Sequence, residues 1–280
     1  MTSWRELPLV KPIFEARLQD LSASFLEYVE VFKQRGPFSE SQLRVHLKAL
    51  RARRAFPLAA EAVKNSDFAD AVRDVLRDWG VGTHGAELVP VEAFRAELGK
   101  LAASLAGLEQ LQIDDVALDG PKAASRVWDL ISSMCLVTKN GKPIKNRLVS
   151  GSKALHHVLP ELVSPIDREY TQTFFGWHNP EFQNNPRDCF NLIFLSLADL
   201  AKKIKPAHLV GEGWMSSPAK ILDNAIIGYC VKHGLKSENT RYQQKQRAVH
   251  KAMVKRAKEL GMWEAIKAEA VKKRRRSSDS

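Results

Sequence analysis

Six apolar residues near the amino terminus, Phe14, Leu18, Leu21, Phe25, Val29 and Phe32, are separated by steps of three and four. That spacing puts them on one face of an α-helix and excludes a strand, whose faces alternate every second residue. The helix is expected to start near Pro12 and to end before Gly36-Pro37. The pattern then recurs along the chain. Ser39 and Gln42 have the spacing of a capping box, with Leu43, Leu47 and Leu50 facing inward. Val72, Val75, Leu76 and Trp79 form a further stripe closed by Gly80. Pro90 opens a long one through Val91, Phe94, Leu98, Leu101, Leu105 and Leu108, and Pro121 restarts helix with Ala123, Val127, Leu130, Ile131 and Met134 on one side. No internal repeat and no set of alternating strands interrupts this. An all-α fold of roughly ten helices is therefore expected, arranged as two helical subdomains around a cleft.

Two stretches are less regular. Val137–Leu148 carries four cations around Asn140-Gly141, which suits either a two-stranded hairpin or a basic loop. The helical neighbours favour the loop. Phe174–Arg187, rich in aromatic and amide side chains, reads as the least regular part of the chain. Residues 1–262 are taken as one composite helical domain, and 263–280 as a helix end running into the basic tail Lys272–Arg276.

Charge narrows the partners. Lys and Arg outnumber Asp and Glu 43 to 32, for a formal net charge of +11, which points to a polyanion. Nucleic acid is the first candidate and an anionic membrane surface the second. The cluster Arg51, Arg53 and Arg54 fits phosphate contact, or equally a solvated helix end favoured by the helix dipole. No apolar run approaches the roughly 20 residues of a membrane span, and the amino terminus lacks a signal-peptide core, so a cytoplasmic monomer is expected. Cys135, Cys189 and Cys230 are far apart and read as buried thiols, not as a disulfide framework, a zinc site or an iron–sulfur site.

The densest chemistry lies between Asn146 and Tyr170. Ser150-Gly151-Ser152 reads as a turn feeding a helix, so that free amides and the Lys153 ammonium would form an anion site. Pro160 and Pro165 then break the chain and deliver Asp167. Each feature has a plainer reading: a turn glycine, a cation neutralising Asp167 or holding a phosphate, and a helix N-cap. His156 and His157 follow Lys153, and as a pair without further partners they read as core or surface side chains. No metal or cofactor is expected.

Gly151-Ser152-Lys153 followed by Ser164-Pro165-Ile166-Asp167 resembles the signature of the helix-hairpin-helix DNA glycosylase superfamily, with one glycine flanked by serines where the family usually has Gly-x-Gly. The chain as a whole looks like prokaryotic phage-defence glycosylases that remove glucosylated cytosines from viral DNA. The resemblance implies a helix-hairpin-helix-like element in the all-α fold and a DNA glycosylase that flips a modified base and hydrolyses its N-glycosidic bond. Asp167 would stabilise the positive charge that builds on the sugar. Lys153 would act as a Schiff-base nucleophile in members with strand-cleaving lyase activity. Lys145, Arg147, Ser150, Gly151 and Ser152 would hold the DNA backbone. Trp128, Phe174, Phe175, Trp177, His178 and Asn184 would wall the pocket for the extruded base. A non-catalytic helical nucleic-acid-binding protein is the alternative, and a helical protein-interaction module a third reading.

Overall fold

The structure is a computed structural model that describes residues 11–83, 85–115, 118–237 and 240. The basic tail lies outside them. The fold is all-α with one small sheet. In order, the chain forms α1 (Lys11–Ala23), α2 (Phe25–Arg35), α3 (Glu40–Arg54), α4 (Ala59–Ala62), α5 (Ser66–Asp78), β1 (Ala86–Leu88), α6 (Val91–Gly99) and α7 (Gly120–Ser133). It continues through β2 (Val137–Lys139), β3 (Lys142–Pro143), α8 (Leu148–Val158), α9 (Thr171–Phe175), α10 (Asn179–Asn184), α11 (Pro186–Ile204) and α12 (Pro218–Lys232). All of these lie in the first of two compact units, Met1–Leu235, the second being Lys236–Ser280.

Local chemistry sets many of these ends. Ser39 and Gln42 form a reciprocal capping box, the Gln42 N–H donating to Ser39 Oγ and the Ser39 N–H to Gln42 Oε1 at 2.8 Å. Asn65 caps α5, Asp119 caps α7 and Ser217 caps α12, each accepting the N–H three residues on. The first stripe is broken at Ser24 into α1 and α2, yet Phe14, Leu21, Phe25, Val29 and Phe32 all stay buried. The Pro90 stripe leaves α-geometry after Gly99, where a 3-10 turn spans Lys100–Ser104.

Two irregular stretches come out more ordered than expected. Val137–Pro143 is a hairpin and not a basic loop. Asn140 and Gly141 both take positive φ, 52° and 71°, the geometry of a type I′ turn. β1 pairs antiparallel with β2 through Ala86–Lys139 and Leu88–Val137, and this third strand supports a hairpin that would be marginal alone. Phe174–Arg187 is largely helical, formed from the end of α9, all of α10 and the start of α11.

The main core is a hydrophobic cluster from Phe14 in α1 to Cys230 in α12, beside a small separate cluster of Ala49, Ala71 and Val75 between α3 and α5. α12 runs through its centre and is buried along nearly its whole length. It crosses α2 at Gly228, where an added Cβ would lie 1.9 Å from the Tyr28 carbonyl oxygen. Alanine there cannot be absorbed by a rotamer change, because the obstacle is backbone. Gly228→Ala should destabilise the fold by about 3 kcal/mol through forced helix separation, read as a lower urea midpoint at unchanged m-value.

Candidate functional site

Lys153 sits on α8 and reaches the end of α5, where its Nζ donates to the Trp79 carbonyl oxygen at 3.1 Å and lies 5.9 Å from the Trp79 ring centre. Carbonyls at a helix C-terminus attract a cation. Part of the side chain reaches solvent, but protein surrounds the amine. That burial pushes its pKa below the usual lysine range, with Lys220 adding to the effect and the Asp167 and Asp223 carboxylates opposing it.

Asp167 lies at the foot of α9. Its Oδ1 accepts the N–H groups of Tyr170 at 2.7 Å and Thr171 at 3.1 Å, so it closes the turn that leads into α9, whose own N-cap is Tyr170. The segment carrying it is tied to α8 twice. The Ile166 N–H donates to Ser152 Oγ at 3.1 Å, and His156 Nδ1 donates to the Val163 carbonyl at 2.7 Å.

On the far side of Trp79 is a group that sequence reasoning missed. Lys220, 1% exposed, donates to Asp223 Oδ2 at 2.6 Å and to Asn224 Oδ1 at 2.7 Å. Its Nζ is 5.0 Å from the ring centre of Trp214, 5.4 Å from Phe38, 5.5 Å from Phe32 and 5.9 Å from Trp79. An ammonium ion in such an aromatic cage keeps electrostatic compensation without water. Burial raises the Asp223 carboxyl to about 6, against the pull of Lys220. The Asn224 side chain also donates to the Trp214 carbonyl at 2.8 Å, which fixes the cage wall. Phe32, Phe38 and Trp214 also line a surface pocket of about 320 Å³. Tyr170 meets Phe38 edge-on at 6.5 Å. The legible signal is a Lys, an Asp and an Asn three and four residues apart inside an otherwise apolar helix, because charges in such a setting need a reason.

His46 is the second missed residue. It stacks on Trp214 at 5.2 Å and meets Trp79 at a tilt at 5.5 Å, and its Nδ1 lies 2.9 Å from His157 Nε2 across 111 positions of sequence. His156 and His157 are core side chains, one of the two placements expected of them, and a third imidazole from α3 joins them there. All three rings are fully buried. Desolvation holds His46 and His156 well below the ordinary imidazole value and His157 at about 4, with mutual repulsion and Lys220 adding to it. The unfolded chain takes up protons near pH 6.5 that the native state refuses, so the stability these rings contribute is present above that pH and lost as pH falls toward 4. In the presence of a chelator, stability should drop between pH 7 and pH 4 by on the order of 3 kcal/mol for His157 alone. The drop should shrink in His157→Gln.

The remaining expected site residues fall elsewhere. The Ser150-Gly151-Ser152 turn does not exist. α8 begins at Leu148, and the Gly151 N–H donates to the Arg147 carbonyl at 2.8 Å, so the Gly151 amide is not available to a phosphate. Gly151 serves packing instead, since an added Cβ would meet Ile131 Cγ2 at 2.8 Å and the Ile131 carbonyl oxygen at 3.1 Å. Ser150 and Ser152 are buried with hydroxyls turned to their own helix, and Arg147 donates to the Ser132 carbonyl. Lys145 is exposed. Phe174, Phe175 and Trp177 are buried in the core, Phe175 stacking on Trp177 at 5.3 Å and Phe174 meeting Tyr229 at 5.1 Å. Trp128 packs on Phe190, His178 caps α10, and Asn184 is exposed. The structure therefore brings together Lys153 and Asp167 but not the expected pocket wall. Trp79 borders Lys153 and Tyr170 borders Asp167, while Phe38 and Trp214 border Lys220.

Compared with known proteins, the chain matches no protein-family model, no curated protein and no solved structure.

Proposed function

We propose that the protein is a DNA glycosylase that extrudes a modified base and hydrolyses its N-glycosidic bond, leaving an abasic site. The observation that carries this reading is the electrostatic grouping of Lys153, Asp167, Lys220 and Asp223 within one cluster bordered by aromatic rings. Departure of the base builds positive charge on the sugar, and a carboxylate facing it lowers that barrier. Asp167 is assigned this role. One oxygen holds the turn into α9, and the other is assigned to the sugar or to an attacking water.

Lys153, with its amine pushed toward the neutral form, is assigned to attack of the sugar carbon in an associated lyase step or to steering of the phosphate. The ring faces of Phe38, Tyr170 and Trp214 replace the core aromatics of the sequence expectation as the surface on which an extruded base stacks. The net charge of +11 supplies attraction to the DNA backbone. Among the described residues no helix is long and apolar enough to cross a membrane. The proposed setting is the cytoplasm, acting as a monomer in defence against phage DNA with glucosylated cytosines.

Incubation with DNAs carrying glucosylated, oxidised, alkylated, deaminated or unmodified bases, followed by an abasic-site assay, tests the reading. Release from the glucosylated DNA is expected. Retention of DNA in a salt-sensitive complex with no abasic sites on any substrate would replace the enzyme with a nucleic-acid-binding protein.

A further inference from the structure

We propose that His46, His156 and His157 form a binding site for a divalent transition-metal ion of the zinc class. One ring nitrogen from each of the three lies within 4.8 Å of the other two, and all three side chains are buried. Which nitrogens face inward is set by what the others touch. His156 Nδ1 donates to the Val163 carbonyl at 2.7 Å, and His157 Nδ1 donates to the Lys153 carbonyl at 2.8 Å. A carbonyl oxygen only accepts, so both rings carry their proton on Nδ1 and present a bare Nε2 lone pair inward.

His46 Nε2 rests 2.9 Å from Ser216 Oγ, and its Nδ1 points at His157 Nε2. Without a metal, His46 must put its proton on Nδ1 to serve that contact. His156 Nε2 is then a fully buried acceptor with no hydrogen-bond partner. Buried polar atoms are rarely left so, and an unexplained one marks a missing partner.

A metal ion resolves the arrangement. His46 shifts its proton to Nε2, where Ser216 Oγ accepts it, and three lone pairs converge on one point. Each ligating ring then donates its outer N–H to an oxygen, the supporting pattern that orients metal-bound imidazoles. Nitrogens around a tetrahedral zinc ion at about 2.0–2.1 Å stand roughly 3.4 Å apart. The His46–His157 pair needs to open by about half an ångström, and His156 to close. Imidazole donors suit zinc, copper, nickel or iron over calcium or magnesium. Three protein ligands leave the fourth tetrahedral position to water or to an added ligand. The nearby ammonium groups of Lys153 and Lys220 have the carboxylates of Asp167 and Asp223 beside them. The glycosidic chemistry uses none of these rings and carbonyls, so the metal site stands or falls apart from base excision.

The test uses the full, tag-free chain. Protein stripped with chelator is reloaded with Zn²⁺, freed of excess metal and analysed for bound zinc, with circular dichroism reporting the fold. About one equivalent is expected, with a Tm that falls on chelation and returns on reloading. Co²⁺ in its place should give visible d–d absorption of tetrahedral strength. Ser216→Ala keeps all three ligands and should bind about 10- to 100-fold more weakly. His156→Gln should hold no stoichiometric zinc. Folded wild-type protein with less than about a tenth of an equivalent and no Tm response to Zn²⁺ overturns the site. So does His156→Gln that still binds one equivalent. If His156→Gln does not fold, the wild-type stoichiometry and the Ser216→Ala affinity decide.

Discussion

Asp167→Asn should lower base release by about 10³-fold while leaving the protein folded. The substitution separates the two jobs assigned to this side chain. Asparagine keeps a carbonyl oxygen where Asp167 Oδ1 accepts the Tyr170 and Thr171 N–H groups. As an N-cap it is about as good as aspartate, so stability should change by less than about 1 kcal/mol. What it lacks is the negative charge that would face the sugar cation. Single-turnover release and thermal unfolding of the same preparation check both halves. Near-full base release with an intact Tm would reduce Asp167 to a structural role and assign the catalytic charge to another group. Loss of activity together with the fold would make Asp167→Glu the deciding variant, since it restores the charge at a displaced position.

Asp223→Ala should cost about 3–5 kcal/mol, the largest stability effect expected here. Lys220 would keep a positive charge in a site that is 1% exposed, with Asn224 and four aromatic rings but no carboxylate. Taking one partner from a buried ion pair leaves the desolvation penalty of the other uncompensated. Replacing both with neutral residues of similar size, Lys220→Met with Asp223→Asn, should recover most of the loss, because no charge is then stranded. Chemical denaturation of the two single variants and the double variant gives the coupling directly. Additive losses would mean that the pair does not act as a unit. Recovery of stability without recovery of activity would give the cage a positioning role, with Trp214 and Asn224 held in place by Lys220.

The expected phosphate clamp shows how a motif can be real in sequence and different in space. Gly151 reads as a turn because glycine permits positive φ, yet it lies inside α8 because the α7 backbone at Ile131 comes too close for a Cβ. Both causes favour glycine, and only the neighbour tells them apart. The aromatic loop departs from expectation for a similar reason. Phe174, Phe175 and Trp177 cluster in sequence and also in the core, whereas the rings beside Lys153 and Lys220 come from α2, the α2–α3 connection, the end of α5 and the segment before α12. The hairpin at Asn140-Gly141 is the opposite case. Its turn signal is legible in the residues, and helical neighbours are a poor reason to set it aside.

By itself the sequence determined the helical class, several helix ends and the capping at Ser39, because these depend on groups three or four residues apart. It also placed Lys153 and Asp167 on neighbouring segments, since only a short connection through Pro160 and Pro165 separates them. Tertiary structure alone decided that His46 joins His156 and His157, that Lys220 and Asp223 stand behind Trp79, and that Gly151 is a contact point. Those arrangements depend on how helices pack and cross, and packing brings together residues whose separation along the chain carries no periodic signal.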